Sequence, residues 1–80
     1  MKLNVLAFGI AKDIFGGSVV EVNLAENATV ATLKTTLEGQ YPRLKQLSSV
    51  MIAVNNEYAD ATSVLEQRDE VAIIPPVSGG

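Results

Sequence analysis

Val71-Ala72-Ile73-Ile74-Pro75-Pro76-Val77-Ser78-Gly79-Gly80 closes the sequence, and the reading of this stretch decides the rest. Its first four residues form a short apolar, largely β-branched run of the kind found in buried strands. Two prolines follow. Proline has no amide hydrogen and a fixed φ, so Pro75 and Pro76 end the strand's pairing and exclude a helix. A residue preceding proline is held in extended geometry, which stiffens Ile74 and Pro75 and makes the segment a spacer leading out of a sheet. Gly79 and Gly80 have no side chains and give a peptide narrow enough to thread a tunnel. A tail of this kind suits the presentation of a terminal carboxylate to another protein's active site. Chain ends are commonly frayed, and with glycine at roughly 7% of residues a terminal pair arises by chance about once in 200 sequences. The stiff spacer ahead of the pair is what distinguishes this end.

Upstream of the final strand, Arg68-Asp69-Glu70 is a polar lead-in, and Ser63 to Leu65 reads as a tight turn. Asn55-Asn56 is a turn pair, because asparagine tolerates left-handed backbone geometry. It joins the apolar strand Val50-Met51-Ile52-Ala53-Val54 to a short returning strand, Glu57-Tyr58. Before these lies one good helix. Thr29 is its expected N-cap, with Asn27 as competitor. Val30, Leu33, Leu37 and Tyr41 follow at helical spacing on one face, with Lys34 and Glu38 on the other, and Gly39 and Pro42 are expected to stop the helix. Arg43 to Leu47 adds an irregular turn.

At the N-terminal side, Lys2 to Phe8 carries Leu3, Val5 and Ala7 on one side and Leu6 and Phe8 on the other, the pattern of a central strand. Gly9 to Gly17 is a long connection with a helical turn at Ala11 to Phe15, closed by Gly16-Gly17, where the chain reverses. Ser18 to Leu24 alternates again, so the first two strands form an antiparallel hairpin. One helix against a small mixed sheet is an α+β fold. Placing the last strand beside the first makes the pair parallel, and a parallel pair requires a long crossover, which the central helix supplies. This is the β-grasp, or ubiquitin-like, arrangement: a mixed sheet with one main helix packed on one face. Residues 1–74 form the expected domain and residues 75–80 the extended tail.

Composition narrows the chemistry. Eighty residues make one small domain, which buries only roughly 60 to 65% of its unfolded surface. The sequence contains no cysteine and no histidine, which removes disulfides, thiol nucleophiles, thiolate metal sites and the usual base near neutral pH. No metal site is expected. Six basic residues face nine acidic ones, for a net charge of −3, and the cations are scattered, so nucleic acid is not an expected partner. No apolar run approaches the roughly 20 residues that span a membrane, and no signal-like segment opens the chain; a cytoplasmic location is expected. Hydrophobic residues make up 48% and the mean hydropathy is +0.24, high enough to imply an exposed apolar patch for a partner. Asp69 and Glu70 are adjacent, and adjacent residues on an extended chain point to opposite faces, so they read as a solvated lead-in and not as an acid/base pair.

The segment Asp69 to Gly80, with its Pro-Pro-Val-Ser-Gly-Gly end, closely resembles the C-terminus of the small, sulfur-carrying subunits of molybdopterin synthases. Ala53-Val54-Asn55, Thr29-Val30 and Val5-Leu6-Ala7-Phe8 are similar to the same family, so the resemblance spans essentially the whole chain. It implies that Gly80, following Gly79, is adenylated by an ATP-dependent activating enzyme, because a carboxylate is a poor electrophile until AMP makes it a leaving-group ester. A persulfide donor such as a cysteine desulfurase then leaves Gly80 as a thiocarboxylate. It implies further that the tail, guided by Pro75, Pro76, Val77 and Ser78, enters the large subunit and delivers sulfur to cyclic pyranopterin monophosphate in a heterotetrameric complex. No cofactor is bound by this chain in that scheme; the sulfur rides on the main chain, and the chain counts as an enzyme only as the small subunit of the synthase. Phe8, Tyr58 and Ile74 are the candidate apolar contacts with the partner. Ordinary core packing is the alternative for Phe8 and Ile74, whereas Tyr58, amphipathic and beside a turn, suits a rim. Sulfur carriers of other pathways and ubiquitin-like modifiers share a Gly-Gly end, and a β-grasp binding module with an incidental Gly-Gly is the rival from another class.

Overall fold

The computed structural model describes residues 1–47 and 50–75. Its elements, in chain order, are β1 (Lys2–Ala7), α1 (Ile10–Phe15), β2 (Val19–Asn23), α2 (Val30–Gln40), a 3-10 turn (Pro42–Gln46), β3 (Met51–Val54), β4 (Glu57–Tyr58) and β5 (Val71–Ile74). The strands form one sheet in the order β2-β1-β5-β3-β4. β1 and β5 run parallel, with Val5 opposite Val71 and Ala7 opposite Ile73; every other pairing is antiparallel. This is the mixed α+β sheet expected from the alternation of apolar residues.

The sheet is buried on one side only. Leu3, Val5 and Ala7 of β1, Val20 and Val22 of β2, Ile52 of β3, and Val71 and Ile73 of β5 belong to one core cluster with Val30, Leu33 and Leu37 of α2. Leu33 and Leu37 are fully enclosed, and each such leucine contributes about 1.5–3 kcal/mol by leaving water. Thr29 caps α2: the Thr32 amide donates to its Oγ1 at 3.3 Å. Asn27, the competitor, instead takes a left-handed conformation, φ 65°, in the turn that precedes the cap. Tyr41 ends the helix half-buried and stacks edge-on against Phe15 of α1, ring centroids 4.8 Å apart, which ties α1 to the region where α2 stops.

Local turn chemistry follows the residues closely. Asn55 and Asn56 have φ of 53° and 70°, both positive, as a two-residue hairpin with the right twist requires; Val54 pairs with Glu57 and Ala53 with Tyr58 across it. Gly16 caps α1 in the left-handed region, φ 77°. Of the Gly16-Gly17 pair, only Gly16 takes positive φ, and both amides donate to the Lys12 carbonyl.

Three expectations are corrected. α2 runs through Gly39 to Gln40, so Gly39 does not stop it: a single glycine costs a helix only about 1 kcal/mol, and packing of Leu33 and Leu37 outweighs that. The stop comes at Tyr41, whose non-helical backbone (φ −130°, ψ 80°) follows from the exclusion of the helical region for a residue before proline, here Pro42. Ser63 to Leu65 is not the turn. The turn lies three residues earlier, over Asp60 to Ser63, with the Ser63 amide donating to Asp60 O at 3.0 Å; Val64 then bridges to Thr29 while Leu65 is drawn into the core. Finally, Asp69 is not a free solvated group. Its carboxylate accepts from the Glu66 amide at 2.8 Å and from Asn55 Nδ2 at 3.0 Å, and Asn55 Oδ1 accepts from the Glu70 amide at 3.0 Å. This lattice ties the β3–β4 turn to the start of β5.

Two stability outcomes follow. A Cβ at Gly39 would meet nothing within 4 Å, so Gly39→Ala is expected to raise the free energy of unfolding by about 0.5–1 kcal/mol in a urea titration. Asp69→Ala leaves the Glu66 amide and Asn55 without their partner and is expected to cost about 1–2 kcal/mol in the same measurement.

Candidate docking face and tail exit

Strand alternation places Lys2, Asn4 and Leu6 of β1 on the face opposite the core, and among the described residues no helix lines the surface around Leu6. The sheet register lines up a row across all five strands: Val19 opposite Leu6, Leu6 opposite Ala72, Ala72 opposite Ala53, and Ala53 opposite Tyr58. All five are apolar or aromatic. A second row lies beside it, where Ile74 stands opposite Met51 and Phe8 follows directly on β1. Tyr58 is 68% exposed, Val19 52%, Phe8 50% and Met51 47%, and apolar groups exposed in adjoining rows, unlike ones scattered singly, mark an interaction surface.

These rows enclose a shallow hollow of about 370 Å³ lined by Leu6, Phe8, Ala53, Tyr58, Ala72 and Ile74, with Asn56 and Glu70 at its polar margin. All three candidate contact residues, Phe8, Tyr58 and Ile74, therefore stand around one depression. Phe8 and Tyr58 are outside the core, and Ile74 is half-buried at its edge. Leu6, Val19, Met51, Ala53 and Ala72 complete the surface and were not among the sequence candidates. Their signal was present in the two-sided apolar pattern of β1, which marks an interior strand but does not say whether the second face is covered.

The tail departs beside this hollow. Because β5 is parallel to β1, Ile74 and Pro75 emerge at the end of the sheet where β1 gives way to α1. Gly9 is in the left-handed half of backbone space (φ 56°), and a Cβ placed on it would lie 3.3 Å from Pro75 Cγ, so the first proline of the tail rests against the β1–α1 turn. Pro76, Val77, Ser78, Gly79 and Gly80 lie outside the described residues. Among the described residues, no group of three or more histidine, cysteine, aspartate or glutamate side chains is arranged to hold a metal, and no helix is long and apolar enough to cross a membrane.

A five-stranded mixed sheet with a crossover helix on one face, an open apolar second face and a strand that runs out into a proline-stiffened tail defines a ubiquitin-like β-grasp protein. The chain belongs to the ThiS family, which matches residues 5–80. It is 39% identical over 82 residues to the molybdopterin synthase sulfur carrier subunit of Mycobacterium tuberculosis, an alignment covering 100% of this chain and 99% of the relative. Among solved structures it is similar to a putative molybdopterin converting factor subunit 1 from Pyrococcus furiosus, with TM-score 0.87 and 27% identity over 96% of this chain and 99% of the other. It is also similar to SAMP1 from Haloferax volcanii, with TM-score 0.85 and 26% identity over the whole of both chains.

The exposure pattern makes a direct test of core against surface. Phe8→Ala is expected to change the unfolding free energy by less than about 1 kcal/mol, as surface substitutions do, whereas Leu3→Ala, at a fully buried site on the same strand, is expected to cost about 3 kcal/mol. Comparable losses at both positions would show Phe8 to be core.

Proposed function

We propose that this chain is the sulfur carrier subunit of a molybdopterin synthase, and that its catalytic contribution is the chemistry of Gly80. The observation that carries this reading is the full-length similarity to a protein of that name, joined to a strand that leaves the sheet at Pro75 beside an open apolar face. The terminal carboxylate is adenylated by an ATP-dependent activating enzyme, with pyrophosphate released; a persulfide donor displaces AMP to give an acyl disulfide, and a partner thiol cleaves its S–S bond, releasing the thiocarboxylate while the two partner sulfurs are left as a disulfide. Gly79 and Gly80 are the residues that enter a partner's active site, and Pro75, Pro76, Val77 and Ser78 guide them there. Phe8, Tyr58 and Ile74, with Leu6 and Ala72 between them, dock on the large subunit of the synthase. That subunit receives the tail and uses its sulfur on cyclic pyranopterin monophosphate.

The division of labour follows from composition. With neither cysteine nor histidine in the sequence, the groups that bind nucleotide, deliver persulfide and bind the pterin come from partners, and this chain contributes an electrophilic terminus at the end of a stiff spacer. An apolar face of this kind drives association by the burial of its area, at about 25 cal/mol per Å² before the costs of ordering. The likeness to SAMP1 supports a second reading, a protein modifier in which lysine amines attack the activated Gly80.

Intact mass after incubation with ATP, the activating enzyme and a sulfur donor decides the first point. The wild-type chain is expected to gain the difference between sulfur and oxygen, and a variant lacking Gly80 is expected to gain nothing while unfolding at the same urea concentration. Isopeptide-linked ladders in cell extracts, in place of a free thiocarboxylate, would establish the modifier reading.

A further inference from the structure

The open face is not uniformly apolar. Continuing away from the tail, the next row carries Glu21 opposite Asn4, and Glu70, which precedes Val71 as Asn4 precedes its partner Val5. Glu70 lines the hollow together with Asn56 and its side chain is exposed. Its main chain is held at both ends of one residue pair: the Glu70 amide donates to Asn55 Oδ1 at 3.0 Å and its carbonyl accepts from the Asn55 amide at 2.8 Å. The carboxylate is thus carried on a fixed backbone at the margin of an apolar depression. Among the described residues no cation pairs with it; the one ion pair there joins Lys2 to Glu21 at 3.8 Å.

We infer that Glu70 is a specificity-determining contact of the docking face, and that the segment of the large subunit seated on this face places an apolar side chain in the hollow and a lysine or arginine opposite Glu70. The inference rests on the carrier-subunit reading and adds the chemistry of the partner to it. Two apolar rows alone do not fix how a partner sits along the strands, because apolar contact has no direction. A single carboxylate at one end of the hollow, with the tail at the other, does fix it. A partner cation meeting Glu70 sets the distance from that point to the tail exit and so aims the tail. A neutral or acidic partner residue there strands an unpaired charge in the interface, which is how charges reject wrong partners.

Glu57 supplies a matched control. It pairs with Val54 and so points to the opposite face of the sheet from Tyr58, on a strand adjoining the same turn, with the same charge and likewise exposed. Binding of the purified large subunit of molybdopterin synthase to the full chain, measured by calorimetry at low and moderate salt, is the test. Glu70→Lys is expected to weaken Kd by about tenfold or more, and Glu70→Gln by roughly threefold with a flatter salt dependence than the wild type. Glu57→Lys is expected to stay within about twofold. A Glu70→Lys variant that binds as the wild type does, or a Glu57→Lys variant that loses as much, overturns the inference. Tyr58→Asp separates the two levels: if it abolishes binding while Glu70→Lys does not, the docking face stands and the role of Glu70 falls, and if the wild-type chain itself does not bind, the carrier-subunit reading falls.

Discussion

The parallel pairing of β1 with β5 is the constraint on which the rest of the structure depends. Two parallel strands cannot be joined by a short turn, so the chain between Ala7 and Val71 has to cross over the sheet before it can return in the same direction. The chain meets this with a short helix and a return strand, then α2 laid across the sheet, then a second hairpin on the far side. Val5, Val71 and Ile73 are enclosed because this path crosses over them. The same pairing sets the end at which Pro75 emerges, next to Gly9 and within a residue of Phe8.

A single crossover helix covers a single face. The core takes Leu3, Val5 and Ala7, and the intervening residues of the same strands are left on the other side. In a larger α/β protein a second layer of helices would cover them; here α2 packs on the core face. The apolar rows from Val19 to Tyr58 are therefore a consequence of this single covering helix combined with a strand pattern that is apolar on both faces. In the reading proposed above, the missing layer is another protein.

The polar lattice at Asn55, Asp69 and Glu70 does the converse work at the far end of the sheet. Three hydrogen bonds between Asn55 and the residues Asp69 and Glu70 hold the start of β5 in register against the β3–β4 turn, and register in a two-faced strand matters because a slip by one residue would exchange Val71 and Ile73 for Ala72 and Ile74. The polar residues just before β5 are thus part of what decides which face of the last strand enters the core and which stays on the open side of the sheet.

Much of the fold was legible in the sequence for local reasons. Asn55-Asn56 supports a tight hairpin because asparagine accepts positive φ. Thr29 caps α2 because its hydroxyl reaches a free amide, and Pro75 follows the end of β5 because proline cannot donate to a sheet. Apolar spacing of three and four marked the buried side of α2, and alternation marked the strands. Where local propensity was weak against packing, it misled: Gly39 stays helical because Leu37 is anchored, and Leu65 makes a buried contact where the sequence read a turn. Phe8 and Ile74 could not be assigned to core or surface from type and spacing, since both uses draw on the same apolar residues. Only the tertiary structure decided that, because exposure depends on which strands become neighbours and on how many layers cover them, and those are properties of pairings between residues far apart in the chain.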